Sequence, residues 1–554
     1  MCGIFCYYYK QNSLTQAKAT QTKVVQPVQV TPVSLVNSFL SIVNRGPDNS
    51  IIEEYTVGDY VIVIGFHRLS IIDLSTLSDQ PLKLTSTTDD LLLICNGEIY
   101  NYREIIDYYN FKTETKSDCE VILHLYSHFS KIETNVNNII DRVVYSLDGV
   151  YAFVLLDKRN SLMFSTRDYP IGVRPLFYIK NGFASEMKAL IDLKEKDEYV
   201  KPSEPTQIHI VNFNREDAVR TIIKKIPPKI DIILNRSGNN LFYILNEAVI
   251  KRLHTDRPIG CLLSGGLDST IISYLVKKNR LGASIPTFCV YMEGANSPDK
   301  DVAEMVARDL KSDHHSVSFT FETGVETLTE VIRCLETYDT TTIRASVPMF
   351  LLARHIRKET RVKVVFSGEG ADEVFGGYHY FKDAPNKEEF VKETKRLQSE
   401  LYMFDALRAD RCVSSCGLEL RVPFLDRMVL KYIKMFPEIL YNKEKIEKYP
   451  LRDCMKGLIP NYVLNRKKDA FSDSVGRDWV TRLKEYADSI VCDSDFNAKK
   501  ERYPFNTPKT KEEYLYRTIF EQFYPGKDQD KLIPHYWMPR WQDALVNDPS
   551  ARFI

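Results

Sequence analysis

No uncharged apolar run in this chain approaches the ~18 residues that a membrane-crossing helix needs. The first residues also lack the basic start and sustained apolar core of a secretory signal, so no membrane contact is expected. Neither sign of charge is in surplus: lysine plus arginine number 74, and aspartate plus glutamate number 74. Such a balance supplies no overall field for gathering DNA, RNA or anionic lipid, and no nucleic-acid partner is expected. Among eleven cysteines there is no Cys-x-x-Cys pair. Cys2/Cys6 and Cys412/Cys416 are spaced by four, which is not zinc-ribbon spacing, and the scatter and odd count fit a reduced, cytoplasmic compartment. His124 and His128 have no H-E-x-x-H around them, and His314-His315 open a strand facing opposite ways, so neither pair is expected to share a metal.

What is present is an ordinary globular composition, 44% hydrophobic and 27% charged over 554 residues, enough for roughly two to four domains. The first third is rich in short strands: "VIVIGF" (61–66), "LLLIC" (91–95), "VYAFVLL" (150–156) and "SLMFST" (161–166). Asn181-Gly182 between two apolar runs is a direct hairpin signal. Helical patterns are fewer, at 34–44 and 119–129, which predicts antiparallel sheets with helices packed outside them. Residues between Lys10 and Val33 read as an exposed loop, and the stretch from "PSEP" (202–205) to about Ser237 as a linker with some strand.

Beyond the linker the texture changes. A helix at 240–253 is followed by alternating elements: strand 258–263, helix 269–278, strand 286–292, helix 300–310, strand 314–319, helix 346–358 and strand 362–366. Alternation of this kind predicts right-handed crossovers and a parallel sheet, with a mainly helical final third. The expectation is two domains of different class with a boundary near 200–215.

"CLLSGGLDSTIISYL" (261–275) sets an apolar strand, then Ser264-Gly265-Gly266-Leu267-Asp268-Ser269-Thr270, then a helix. Glycines let backbone N–H groups approach a phosphate, and the helix N-terminus adds donors and a favourable dipole. The P-loop form G-x-x-x-x-G-K-[ST] is absent here, so its usual lysine is missing. Asp268 then suits a metal-bound pyrophosphate, because a bare carboxylate facing phosphate is repelled. A second strand and loop, "VVFSGEGADEVFGGY" (364–378), carries Ser367, Gly368, Glu369, Asp372 and Glu373. Three carboxylates within five residues repel unless solvated or bound to a cation, which points to Mg2+-pyrophosphate across two strand ends. "NRKKDAFSDSVG" (465–476) adds three basic residues, which taken alone read as a solvated loop. The S-G-G-x-D-S string resembles the loop of ATP pyrophosphatases.

In the first third, "NRGPDNS" (44–50), "FHRLSIID" (66–73), "CNGEIYNY" (95–102) and "SDCEV" (117–121) place polar groups at or near apolar runs. Together they supply what hydrolysis of an amino-acid amide requires. An arginine can clamp the α-carboxylate, carboxylates can hold the α-ammonium, and an Asn amide with a Gly N–H can stabilise an oxyanion. Cys2 follows the initiator methionine. Removal of Met1 would put a thiol and an α-amine on one carbon, and an α-amine titrates near ~7.7–8.0 where a lysine titrates near ~10.4.

The set M-C-G-I, R-G-P-D, R-L-S-I-x-D, N-G-E-I-Y-N and S-D-x-E resembles the class II glutamine amidotransferase domain. Joined to S-G-G-L-D-S, S-G-E-G-A-D-E and R-V-P-F-L-D (421–426), the chain resembles the glutamine-hydrolysing asparagine synthetases from Cys2 to "DPSAR" (548–552). The resemblance implies an α+β N-terminal-nucleophile hydrolase domain, an αββα sandwich, over 2–205. It implies an α/β ATP-pyrophosphatase domain with a parallel sheet and a helical C-terminal part over 213–554. Substrates would be glutamine, aspartate and ATP, with Mg2+ as cofactor, and a homodimer is compatible with it.

Residue by residue, the resemblance makes Cys2 the nucleophile and its α-amine the base through a water. Arg68 would bind the glutamine carboxylate, Glu98 and Asp118 its ammonium, and Asn96 with Gly97 would form the oxyanion hole. Leu262 and Val290 would line the adenine pocket. Ser264, Gly265, Gly266, Asp268, Ser269, Ser367 and Gly368 would contact the nucleotide, with Asp268 and Asp372 on Mg2+-pyrophosphate. Lys468 would stabilise phosphate charge, and Glu369 would be the base when ammonia attacks. Ammonia would pass internally from one domain to the other. An amidotransferase of the same architecture acting on another carboxylate is the alternative. Asn44 stands where the family usually has His, the 10–33 stretch is longer than usual, and "SEPTQ" (203–207) replaces the common Pro-Pro-Gly.

Overall fold

The computed structural model describes residues 1–11, 32–225, 238–280, 282–442, 444–467, 475–476, 478–526 and 528–541. Outside these fall Lys468, most of the long 10–33 stretch, the end of the expected linker and the "DPSAR" motif. The chain divides into two compact units, Met1–Ile230 with Gly526–Gln529, and Asp231–Pro525 with Asp530–Ile554.

The first unit contains strands β1 (Gly3–Lys10), β2 (Asn49–Val57), β3 (Tyr60–Arg68), β4 (Leu82–Thr85), β5 (Asp90–Ile99) and β6 (Gly149–Asp157). It continues with β7 (Leu162–Arg167), β8 (Phe177–Ile179), β9 (Gly182–Ala184), β10 (Lys201–Pro202), β11 (Gln207–Asn212) and β12 (Val219–Lys224). Its helices are α1 (Val33–Leu40), α2 (Tyr102–Tyr109), α3 (Val121–Ile132) and α4 (Val136–Ser146). The strands form two six-stranded antiparallel sheets, ordered β10-β8-β9-β1-β3-β2 and β12-β11-β7-β6-β5-β4. The Asn181-Gly182 turn does close a hairpin, β8 to β9. The expected linker contributes β11 and β12, an edge pair of the second sheet.

Alternation along each strand builds the layers. Ile4, Cys6 and Tyr8 of β1, Ile62, Ile64 and Phe66 of β3, and Leu92 and Ile94 of β5 share one core between the sheets. The intervening residues of β5, Leu91, Leu93 and Cys95, face a second core with Val121, Leu125 and Ile140 of α3 and α4. On the opposite side α1 packs on the first sheet. Its Phe39 stacks on His67, with ring centroids 3.8 Å apart, and lies 6.2 Å from the Phe5 ring. The unit is thus a helix–sheet–sheet–helix sandwich.

The second unit has a parallel sheet of β13 (Ile259–Leu262), β14 (Pro286–Met292), β15 (Asp313–Phe319), β16 (Val364–Phe366) and β17 (Glu419–Arg421). Its order is β15-β14-β13-β16-β17. The chain steps outward from β13 to β15, then returns to the other side of β13 as β16. The switch point lies between β13 and β16, and in open sheets ligands bind at the carboxyl ends of strands there. The helices include α5 (Gly238–Ile250), α6 (Leu267–Asn279), α7 (Pro298–Leu310), α8 (Phe321–Leu335) and α9 (Thr340–Glu359). Next come α10 (Ala371–Phe375), α11 (Lys387–Glu400), α12 (Asp405–Ser414) and α13 (Arg427–Met435), and the described residues beyond β17 contain helices and no further strand. No helix among the described residues is long and apolar enough to cross a membrane.

Candidate functional site

Strand register gathers the expected amide-hydrolysing residues at one end of the sandwich. Gly3 pairs with His67, so Cys2 lies beside Arg68 although 66 positions separate them in sequence. Cys2 continues the inward face of β1 and packs partly against the inter-sheet core. Its Sγ lies 3.4 Å from the Leu69 N–H and 3.7 Å from the Leu69 carbonyl. The Arg45 Nε donates to the Cys2 carbonyl at 2.9 Å, and Arg45 is itself ion-paired to Glu186 at 2.7 Å. Met1 is buried, with its sulfur against the Arg174 guanidinium, and while it is attached the Cys2 nitrogen belongs to a peptide bond.

On β5, Asn96 and Glu98 continue the inward face of Leu92 and Ile94. Asn96 is 0% exposed, and neither its Nδ2 nor its Oδ1 has a hydrogen-bond partner among the described residues. A buried amide left this way costs ~1–3 kcal/mol, which a polar ligand atom would recover. A side chain at Gly97 would collide with β6: an ideal Cβ there lies 2.4 Å from the Val150 oxygen. Glu98 and Asp118 are both buried, and Asp118 Oδ2 accepts the Ile99 N–H at 2.6 Å, which places it beside Glu98.

Arg68 ends β3, and the chain beyond wraps its guanidinium. Nη1 donates to Ser75 O and to Asp79 Oδ1, both at 2.6 Å, and Nη2 donates to Asp73 O. Three of the five N–H donors are thereby used. Among the described residues Nε and one Nη2 proton remain, on the two nitrogens that can grip a carboxylate side-on.

The second unit holds a cavity of about 230 Å³ at the switch point. Leu262, Ser264, Gly266, Asp268, Ser269, Val290, Ser367, Gly368, Glu369 and Asp372 line it, as the motifs predict. Gly265 does not; it takes φ +71° and turns its Cα toward the middle of α7, where an ideal Cβ would sit 2.6 Å from the Ala303 nitrogen. The two loops touch directly. An ideal Cβ on Gly368 would lie 2.8 Å from Asp268 Cβ and 2.9 Å from the Ser269 nitrogen.

Sequence reasoning missed the cation at the centre of this site. Lys448, 2% exposed, places Nζ 2.5 Å from Asp268 Oδ2 and 2.7 Å from Asp372 Oδ1. Lys448 precedes "YPLR" and lies 180 positions from Asp268, so no local pattern marks it. Arg408 of α12 was missed too. It donates to Glu369 Oε2 at 2.7 Å and to Asp405 Oδ1 at 3.0 Å. Arg344 lines the cavity with its guanidinium bound by Glu512 at 2.8 and 2.6 Å. Burial, with Asp405 and Asp372 nearby, holds the Glu373 carboxyl well above the usual range, and Tyr378 donates to it at 2.5 Å.

No group of three or more His, Cys, Asp or Glu among the described residues could hold a metal unaided. Mg2+ needs no such cage: it binds one or two carboxylates and completes its shell with water and substrate phosphate. Asp268 and Asp372 converge on one cation already, so the pair fits that ion. The R-V-P-F-L-D motif is structural. Asp426 caps α13 through the Met428 N–H and pairs with Arg252 at 2.6 Å and Lys251 at 2.5 Å, while Arg421 pairs with Glu419 at 2.8 Å.

A sandwich of this layering with cysteine at position 2, joined to a parallel sheet with S-G-G-x-D-S at its switch point, defines a class. It is an N-terminal-nucleophile amidotransferase unit coupled to an ATP-pyrophosphatase unit. Known families agree. The glutamine amidotransferase domain matches residues 1–241, and asparagine synthase matches 241–401 and 385–545. A glutamine-hydrolyzing asparagine synthetase of Gallus gallus is 41% identical over 554 residues, covering 93% of this chain and 95% of its own. The Homo sapiens protein of that name is 41% identical over 555 residues with the same coverage. A probable one from Acanthamoeba polyphaga mimivirus is 37% identical over 586 residues, 100% of both chains. The chain belongs to the glutamine-hydrolysing asparagine synthetase family.

Proposed function

We propose that this chain makes asparagine from aspartate, taking nitrogen from glutamine and energy from ATP. Residues 2–205 carry the glutaminase chemistry and 213–554 the synthetase chemistry. The observation that carries the first half is Asn96, a fully buried amide with no hydrogen-bond partner among the described residues, beside Gly97.

In the first unit the Cys2 thiol attacks the glutamine side-chain carbonyl. Arg68 holds the α-carboxylate and Glu98 with Asp118 the α-ammonium, while Asn96 and Gly97 take the negative charge that forms on oxygen. The Cys2 α-amine, present once Met1 is removed, accepts the thiol proton through a water and returns it to the leaving ammonia. Water then cleaves the thioester to glutamate. A chain that still carries Met1 has no Cys2 α-amine to act as base and is, on this reading, a precursor at this site.

In the second unit Leu262 and Val290 flank the adenine, and the Ser264–Ser269 and Ser367–Gly368 loops surround the phosphates. A β-carboxylate oxygen of aspartate attacks the α-phosphorus, pyrophosphate leaves, and β-aspartyl-AMP forms. Asp268 and Asp372 would hold Mg2+, which when bound would neutralise charge on the pyrophosphate. Lys448 adds positive charge there, and the family resemblance gives Lys468, outside the described residues, the same task. Ammonia then attacks the acyl carbon, Glu369 takes a proton, and AMP departs. Adenylation is needed because an unactivated carboxylate would have to expel oxide. The eleven cysteines, none of them in a disulfide, support a reducing, cytoplasmic setting.

The test is product analysis with ATP, Mg2+ and glutamine, offering aspartate or other amino-acid carboxylates. Asparagine, AMP and pyrophosphate in equal amounts are expected with aspartate. Formation of ADP, or turnover of another carboxylate in preference to aspartate, would contradict the proposal.

A further inference from the structure

R-L-S-I-I-D ends in a residue that the proposed chemistry does not use. Asp73 has φ +57°, a left-handed conformation that non-glycine residues seldom hold without a reason. It is buried, and each of its oxygens is engaged. The carbonyl accepts from Arg68 Nη2. Oδ1 accepts the Ser75 N–H at 3.0 Å, which bends the chain so that Ser75 O and Asp79 Oδ1 reach Arg68 Nη1. Oδ2 accepts the Ser78 hydroxyl at 2.5 Å and the Lys116 N–H at 3.1 Å.

The last bond reaches across 43 positions to a different segment. Lys116 leads into Ser117, whose hydroxyl accepts the Cys119 N–H at 3.3 Å and so caps the single turn that presents Asp118. Asp118 is in turn tied to β5 at Ile99. One residue therefore grips both halves of the expected glutamine receptor: the loop that aims Arg68, and the segment that carries Asp118. Burial alone would raise the Asp73 carboxyl, but the Ser78 hydroxyl and the Ser75 and Lys116 N–H groups hold it well below the usual carboxylate range.

We propose that Asp73 is a positioning residue for glutamine: it fixes the Arg68 guanidinium relative to the Asp118 carboxylate and so sets the fit of the substrate's α-amino-acid group. It touches neither the scissile amide nor the thiol. The inference rests on the reading that Arg68 and Asp118 bind glutamine.

Asparagine tolerates the left-handed conformation, so Asp73→Asn keeps the backbone while removing the charge and one acceptor. The expected result is a KM for glutamine raised about tenfold or more, with kcat at saturating glutamine within about threefold of the parent. A role confined to folding would instead lower kcat, by reducing the active fraction, and leave KM where it was. Unchanged KM in Asp73→Asn therefore overturns the proposal, whatever happens to kcat. Arg68→Ala separates the two levels: if it fails to raise the glutamine KM, the receptor itself is misassigned, whereas a raised KM there with none in Asp73→Asn defeats Asp73 alone. Should Asp73→Asn not fold, Ser78→Ala removes one donor to the same carboxylate. A KM rise of about threefold in that variant supports the proposal and an unchanged KM overturns it.

Discussion

Lys448 decides how the synthetase cavity survives without a ligand. Asp268 and Asp372 face each other across the two loops, and in low dielectric their mutual repulsion would be severe without a cation between them. Lys448→Met leaves that charge uncompensated. It should reduce ammonia-dependent asparagine formation roughly 100-fold, the scale of losing one preorganised electrostatic group, with glutamine hydrolysis retained. Measured rates that fall together in both reactions would argue for a general loss of structure instead. Asn96 and Asp268 could be read from their motifs because their chemistry is local: a turn, a strand end, a helix start. Lys448, Arg408 and Asp79 could not, since each meets its partner only through the fold and none sits in a recognisable string. His67 shows a different single-residue effect. Burial pushes its pKa down to about 4, and it stays neutral between Phe39 O and Ser50 Oγ. A histidine depressed in the folded state stabilises fully above its unfolded pKa and loses that contribution as pH falls from about 6.5 toward 4, about 2 kcal/mol of it by pH 5. Melting temperature should therefore drop between about pH 7.5 and pH 5, and drop less in His67→Asn; equal losses would acquit His67.

Strand and helix elements supply positions that single residues cannot. Period-two alternation points Cys2, Arg68, Asn96 and Glu98 inward from three strands; antiparallel pairing joins the ends of β1 and β3, and β5 faces them across the inter-sheet core. The strongly apolar strands were legible for this reason. β2 was not, because "NSIIEEYTV" is half-exposed and carries adjacent glutamates, and the three-residue β17 is too short to show a period. β11 and β12 follow a Pro-containing stretch that reads as linker, yet Ile208 and Ile210 bury against the second sheet's helix-facing core. In the second unit the two loops that line the cavity are one element in practice, since no room remains between Gly368 and Asp268. Gly368→Ala must push backbone apart there. Pyrophosphate release with ammonia as nitrogen donor should fall by about tenfold or more, while glutaminase activity is kept. Normal synthetase kinetics in that variant would show that the loops do not need this contact.

At the scale of the whole molecule, each unit has its own sheets, its own core and its own candidate site. Two chemistries are therefore separable by mutation even though the product needs both. The hydrolytic unit supplies nitrogen as NH₃, and the activating unit supplies an acyl group with a good leaving group. The central claim is that Cys2 serves the first chemistry and not the second. The direct measurement is a coupled assay of pyrophosphate and asparagine in Cys2→Ala, with aspartate, ATP, Mg2+ and either glutamine or ammonia. Glutamine-dependent synthesis should vanish while ammonia-dependent synthesis stays within about twofold of the parent. Equal loss with both donors, or continued use of glutamine, would contradict the account.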